Sequence, residues 1–213
     1  MLQSGRSMVE MLGVLAIIGV LSVGAISGYS KAMTKYKLNK HAEGINMLLS
    51  NALQLSPSID KAKPGGNTND IYYNEFLNKA KLLPDGITYK KEAWNQTGLT
   101  KKDYLVDHFG NKMSFYSRTS YDYSFGLFIA LGNNSYSRDI CHNIINMAKE
   151  HSSNIIRVAR EVLVGSNNWS NSNIYSDCSK GNCFNNMSVA TIDDMCKISE
   201  KNSKDFYYFY ILW

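Results

Sequence analysis

Residues 11–29 are apolar at all but two positions, Ser22 and Ser27, and carry no charge. From Leu38 the pattern changes. Apolar residues then fall at Leu38, Ala42, Ile45, Leu49 and Ala52, in steps of four, three, four and three, which is the stripe of an amphipathic helix. The first proline is Pro57, within Ser56-Pro57-Ser58. A single helix over 6–55 is therefore expected, uniformly apolar in its first half, striped in its second, and stopped at that proline. It would be about 75 Å long. Residues 57–69 have loop chemistry. A short helix is expected over 70–82, with Ile71, Phe76 and Leu77 on its apolar side, and a loop is expected around Trp94-Asn95-Gln96-Thr97-Gly98.

Strand patterns follow. His108-Phe109-Gly110-Asn111 reads as a turn and 113–117 as a strand. Tyr123, Phe125, Leu127, Ile129 and Leu131 alternate along a second strand that ends at Gly132-Asn133-Asn134. A helix over 137–149, capped by Ser137, places Ile140, Ile144 and Met147 on one side. Residues 155–164 fit a helix or a strand. Residues 165–188, rich in Asn, Ser and Gly, read as loop, and the aromatic run 206–213 reads as a strand. The fold class is α+β: a long N-terminal α-helix packed on an antiparallel β-sheet head.

Composition narrows the function. In 213 residues there are 14 Tyr and 8 Phe, which suits a β-rich body. The formal charge of +5 is interleaved with acids along the chain, so no nucleic-acid partner is expected. Four cysteines, Cys141, Cys178, Cys183 and Cys196, point to disulfides and an oxidising compartment, and their spacing permits three pairings. Zinc is disfavoured: Cys178 and Cys183 are spaced C-x4-C, no His lies near them in sequence, and no C-x2-C pair occurs. His41, His108, His142 and His151 are scattered, with His41 placed on the polar side of the long helix. No Gly-x-Ser-x-Gly and no phosphate-binding glycine loop occur, and Asp193-Asp194 reads as a solvated turn or helix start. Neither an enzyme nor a cofactor is expected.

The apolar run approaches the roughly 20 residues needed to cross a bilayer. A secretory signal would carry a basic start, a shorter core and a cleavage site after that core, and nothing after Gly28 reads as such a site. Gly13, Gly19, Gly24 and Gly28 each cost an aqueous helix up to about 1 kcal/mol, but allow close backbone approach in a bundle. Ahead of the run stands Ser4-Gly5-Arg6-Ser7-Met8-Val9-Glu10. This segment resembles the processing site of type IV pilins and the related pseudopilins. The resemblance implies a leader, 1–5, removed by a prepilin peptidase that cuts after Gly5 and methylates the new amine of Arg6. Glu10 then becomes the fifth mature residue and pairs with the amine of a neighbouring subunit, setting the assembly register. Two features depart from the pattern: Arg6 stands where such chains usually carry Phe, Met or Leu, and the leader lacks basic residues.

The resemblance further implies a transmembrane and filament-core helix at 6–30, an amphipathic half at 31–56 and a globular pilin head at 57–213. In the type IVb branch a Phe-Gly or Trp-Gly turn leads to a strand, a second strand, and a helix whose cysteine bridges to one near the last strand. Here these correspond to Phe109-Gly110, the strand to Leu131, Cys141 and Cys196. On that basis Cys141 pairs with Cys196, for about 4 kcal/mol by chain entropy, leaving Cys178 with Cys183. The implied partners are copies of the chain, the peptidase, the inner-membrane pilus assembly machinery and, before assembly, lipid. The implied location is the inner membrane and then an extracellular pilus, with a role in adhesion. A pseudopilin of type II secretion and a non-polymerising single-span protein with an extracytoplasmic binding domain are the alternatives. Pseudopilins often bind calcium through acidic loops, and no acidic cluster favours that here. Lys31, Lys35, Lys37 and Lys40 follow the span and by the positive-inside rule alone would put the head in the cytoplasm. The motif and the cysteines place it outside.

Overall fold

The computed structural model describes residues 8–59, 71–96, 99–101, 103–117, 125–132, 135–164, 168–197 and 207–213. The chain is α+β, with a long N-terminal helix, an antiparallel sheet and two disulfides. It divides into two units, residues 1–39 and 40–213. Helix α1, Met8–Leu55, runs unbroken through 48 residues, about 72 Å. It ends where Pro57 enters a single 3-10 turn, Ser56–Ser58.

In the second unit the buried side of α1 is formed by His41, Gly44, Ile45, Leu48, Leu49 and Ala52. The expected stripe is therefore present but shifted, with Leu38 and Ala42 only partly buried. The head's sheet runs β2 (Thr88–Lys90), β5 (Tyr104–Val106), β6 (Lys112–Ser117), β7 (Phe125–Leu131), β10 (Tyr207–Leu212), β8 (Arg157–Val164), β9 (Asn168–Tyr175). The short β1 (Ile71–Tyr72) pairs with β6. A separate hairpin joins β3 (Trp94–Gln96) to β4 (Leu99–Lys101). Helices α2 (Asn74–Lys79), α3 (Ser137–Glu150) and α4 (Val189–Met195) complete the head.

Strand register sorts the side chains into two faces, because directly opposed residues share a face. Met113, Ile129 and Phe209 oppose one another across three strands, as do Phe115, Leu127 and Ile211. All six are fully buried, as are Ile45, Leu48 and Leu49 of α1, Leu77 of α2 and Ile140 and Ile145 of α3. The other face carries Tyr104, Tyr116, Phe128, Ala130, Tyr208 and Leu212, gathered around Trp94 of the hairpin. The Trp94 ring lies 5.7 Å from Phe128 and 5.9 Å from Tyr104, and the Lys112 ammonium sits 4.6 Å over Tyr104. The 94–98 region is thus half of a hairpin and not the expected loop, with Thr97 and Gly98 outside the described residues.

The second aromatic layer explains a further difference. Strand β7 was expected to alternate, yet all seven of its residues are buried, because both faces of the sheet are covered. Gly126 is required there: a Cβ would come within 2.9 Å of Leu212 and closer still to the Tyr116 ring. Tyr123 lies outside the described residues.

The expected helix over 70–82 is correct only for its middle. Ile71 and Tyr72 pair with Ser117 and Tyr116 as a strand, and Ile71 and Phe76 are exposed while Leu77 is buried. Buried Asn74 decides the switch from strand to helix. Its amide donates to Asp103 Oδ1 at 2.8 Å and its carbonyl oxygen accepts from Phe115 N at 2.9 Å. The ambiguous 155–164 segment is strand β8. The 165–188 stretch contains the eight-residue β9, paired to β8 throughout, so it is not mostly loop. Helix α3 lies where expected, but Tyr136 occupies its cap position and the Ser137 hydroxyl donates instead to the Gly132 carbonyl.

Candidate functional site

The first unit is described by its helix alone. Residues 8–32 are all exposed, and the large apolar side chains from Met8 to Ile26 keep 53–82% of their surface open. By length and composition this is the one described helix able to cross a membrane. Glu10 lies in its first turn, where the helix dipole favours an acid. Gly5 and Arg6, the expected cleavage and methylation positions, lie outside the described residues. A Cβ added at Gly13, Gly19, Gly24 or Gly28 would meet nothing within 4 Å, so the four glycines are small notches on an open surface. The Ser22 hydroxyl donates to the Ile18 carbonyl at 2.7 Å, keeping the run's polarity inside its own helix.

The second unit opens with a buried polar chain. His41 was expected on the polar side of the helix; instead it is 2% exposed. Its Nε2 lies 2.8 Å from Asp107 Oδ2. Asp107 follows β5, and its carboxylate also accepts from Phe109 N, Asn111 N and Asn111 Nδ2, each at 2.8 Å. Gly110, at φ +83°, closes this turn with its N–H on the Asp107 carbonyl. The chain continues from Gly132 N to Asn111 Oδ1 and from the Ser137 hydroxyl to the Gly132 carbonyl. It links α1 to the first residue of α3 through the β5–β6 turn and the end of β7.

The electrostatics follow from the donors. The carboxylate accepts, so Nε2 of His41 carries the hydrogen, an assignment from the network. Its buried Nδ1 has no hydrogen-bond partner among the described residues. The Phe109 and His108 rings pack edge-on against His41, at 5.5 and 6.0 Å. Burial alone would raise the Asp107 pKa. The hydrogen bond and charge of His41, with the bonds from Asn111, outweigh burial and hold the carboxyl below its ordinary value. Sequence reasoning took 108–111 as a turn but missed its partner. His41 stands one helical turn from Ile45 and two from Leu48, which marks its side of the helix as buried but does not point to Asp107.

The two disulfides join Cys141 of α3 to Cys196, just after α4, and Cys178 to Cys183, the pairing the resemblance implied. The first is buried; residues 178–182 of the second form an exposed loop with Gly181 at φ +126°. Asp193 and Asp194 stand at the end of α4 and not at a helix start. Asp193 Oδ1 takes Arg138 Nη2 and, at 3.2 Å, His142 Nε2 from α3, while Asp194 pairs with Lys197. The Arg138 hydrogen bond is the main cause that lowers the Asp193 pKa. His151 bonds Asn46 at 2.7 Å, so the four histidines serve three separate places. Among the described residues no group of three or more His, Cys, Asp and Glu could hold a metal ion.

No protein family, curated protein or solved structure matches this chain.

Proposed function

We propose that this chain is a structural subunit of a type IV pilus-like filament, made as a prepilin, cut after Gly5, N-methylated at Arg6 and assembled through its N-terminal helix. The observation that carries the reading is the junction of two features. Gly5 and Glu10 stand in the processing register, and Glu10 lies in the first turn of a helix that is exposed over 8–32. A surface of that extent needs a cover. Lipid supplies it before assembly, and copies of the same helix supply it afterwards. In the bundle the Arg6 amine would be a buried charge, and Glu10 of a neighbour is the compensating partner. The disulfides fit an extracytoplasmic head, and the work of that head is attachment to surfaces, not catalysis. The location is the inner membrane first and the extracellular filament second, with the prepilin peptidase and the inner-membrane assembly machinery as partners.

The test is intact mass and N-terminal sequencing of protein recovered from cells, together with filament yield for Glu10→Ala. A chain beginning at methylated Arg6, with assembly reduced at least tenfold in the variant, supports the filament. An uncut chain beginning at Met1, or a variant that assembles normally, overturns it in favour of a plain single-span anchor. A pseudopilin shares the processing, and assembly only alongside a secretion machine identifies it.

A further inference from the structure

The apolar run ends at Tyr29, and the helix continues without a break into residues of opposite character. Between Glu10 and Glu43 there is no acid, and Lys31, Lys35, Lys37 and Lys40 are all exposed. The Lys40 ammonium lies 2.7 Å from Glu43. At 1.5 Å rise per residue, Lys31 and Lys35 stand about 3 and 9 Å beyond Tyr29, Lys37 about 12 Å and Lys40 about 17 Å. The headgroup layer on one side of a bilayer is about 5–8 Å thick. Lysine side chains snorkel several ångströms along a helix. Lys31 therefore reaches the headgroups outright, Lys35 and Lys37 reach them by leaning back, and Lys40 is too far. Residues 31 and 35 share one side of the helix while 37 lies about 160° away from 35, so the charges surround the shaft. Tyr29 and Tyr36, both exposed, add the amphipathic rings favoured at a membrane interface.

We propose that Lys31, Lys35 and Lys37 form a collar that docks on anionic phospholipid headgroups at the C-terminal end of the span and fixes the depth at which the helix sits before assembly. The proposal rests on reading 11–29 as a membrane span. It gives the lysines a role on the side where the positive-inside rule does not want them: they hold the helix by its surface charge after the span is in place. Leaving the membrane for a filament then requires release of the collar as well as of the apolar run.

The experiment uses the full chain in vesicles of phosphatidylcholine, alone or with phosphatidylglycerol. Flotation reports insertion, and spin-labelled lipids report the relative association of the anionic lipid. Wild-type protein should float with both vesicles and favour phosphatidylglycerol by roughly five-fold or more at low salt, since each lysine near an anionic surface contributes about that factor. Lys31→Gln/Lys35→Gln/Lys37→Gln should float equally and show a ratio near one, whereas Lys40→Gln should keep most of the preference. Molar salt should collapse the wild-type ratio. Failure to float in either vesicle overturns the membrane reading and the collar with it. Flotation without a lipid preference, or a preference that survives the triple substitution, overturns the collar alone. A triple variant that loses filament assembly from a protein with no lipid preference would instead assign the lysines to acids of a neighbouring copy.

Discussion

The two halves of α1 are one helix with two kinds of surface. Residues 8–32 are exposed all round, while from His41 onward one side is buried within the head. The sequence distinguishes them by the number of apolar faces, not by how apolar they are. A run with apolar residues on every side cannot be satisfied by a cover from one direction, so it calls for a bilayer or a ring of neighbours. A stripe calls for a single partner, and here that partner is the head's own core. The same helix therefore holds a part that completes its packing inside the molecule and a part that leaves its packing to others. Substitutions in the head should change its melting and leave residues 8–39 helical and open, which is how the contrast is to be tested.

The largest effect is expected at the buried polar chain. Asp107→Ala strips the partner from His41, Asn111 and two backbone N–H groups at once, and should cost about 3–5 kcal/mol of head stability by denaturant unfolding. The pH dependence has a definite sign. A carboxyl held below its ordinary value contributes stability that is complete above about pH 4, the unfolded value, and that is lost as pH falls through the lower folded value. Asp107→Asn should therefore flatten the acid limb of the stability curve below about pH 4 and change it little above; an unchanged limb would rule out this carboxylate as its source.

Next come the disulfides, where loop length orders the effects. Cys141→Ser, opening a separation of 55 residues, should cost about 4 kcal/mol, and Cys178→Ser, opening one of 5, about 2 kcal/mol. Equal losses in thermal unfolding would show that chain entropy is not the controlling term. Gly126→Ala forces a Cβ against Tyr116 and Leu212 and should cost about 1–3 kcal/mol, visible as a lower melting temperature and altered aromatic circular dichroism. The smallest effect belongs to the exposed Asp194–Lys197 pair: Asp194→Asn should leave the melting midpoint where it is.

Helix α3 and the second half of the long helix were legible from their apolar periods, and β10 from its run of aromatics, whereas β7 was placed from an alternation that burial of both faces does not keep. Strand β9, Asn168–Tyr175, was not legible, because its pairing comes from β8 while its own residues are mostly Asn and Ser. Trp94 looked like loop for a related reason. Its neighbours are polar, and what makes a strand there is an aromatic layer assembled from residues distant in sequence. At the candidate site, the proposed processing motif is a resemblance carried by consecutive residues, with Gly5 and Arg6 outside the described residues. The bond between His41 and Asp107 spans 66 positions, and a lone histidine beside an apolar stripe gives no hint of a carboxylate so far away.

The position of β10 has a consequence for the whole sheet. The latest strand in chain order lies between β7 and β8, paired with both over its whole length. Until Tyr207–Leu212 is in place, no described strand pairs β2, β5, β6 and β7 on one side with β8 and β9 on the other. The described sheet is therefore continuous only once this strand is in place. The arrival of one aromatic strand converts two sheet fragments into a single sheet.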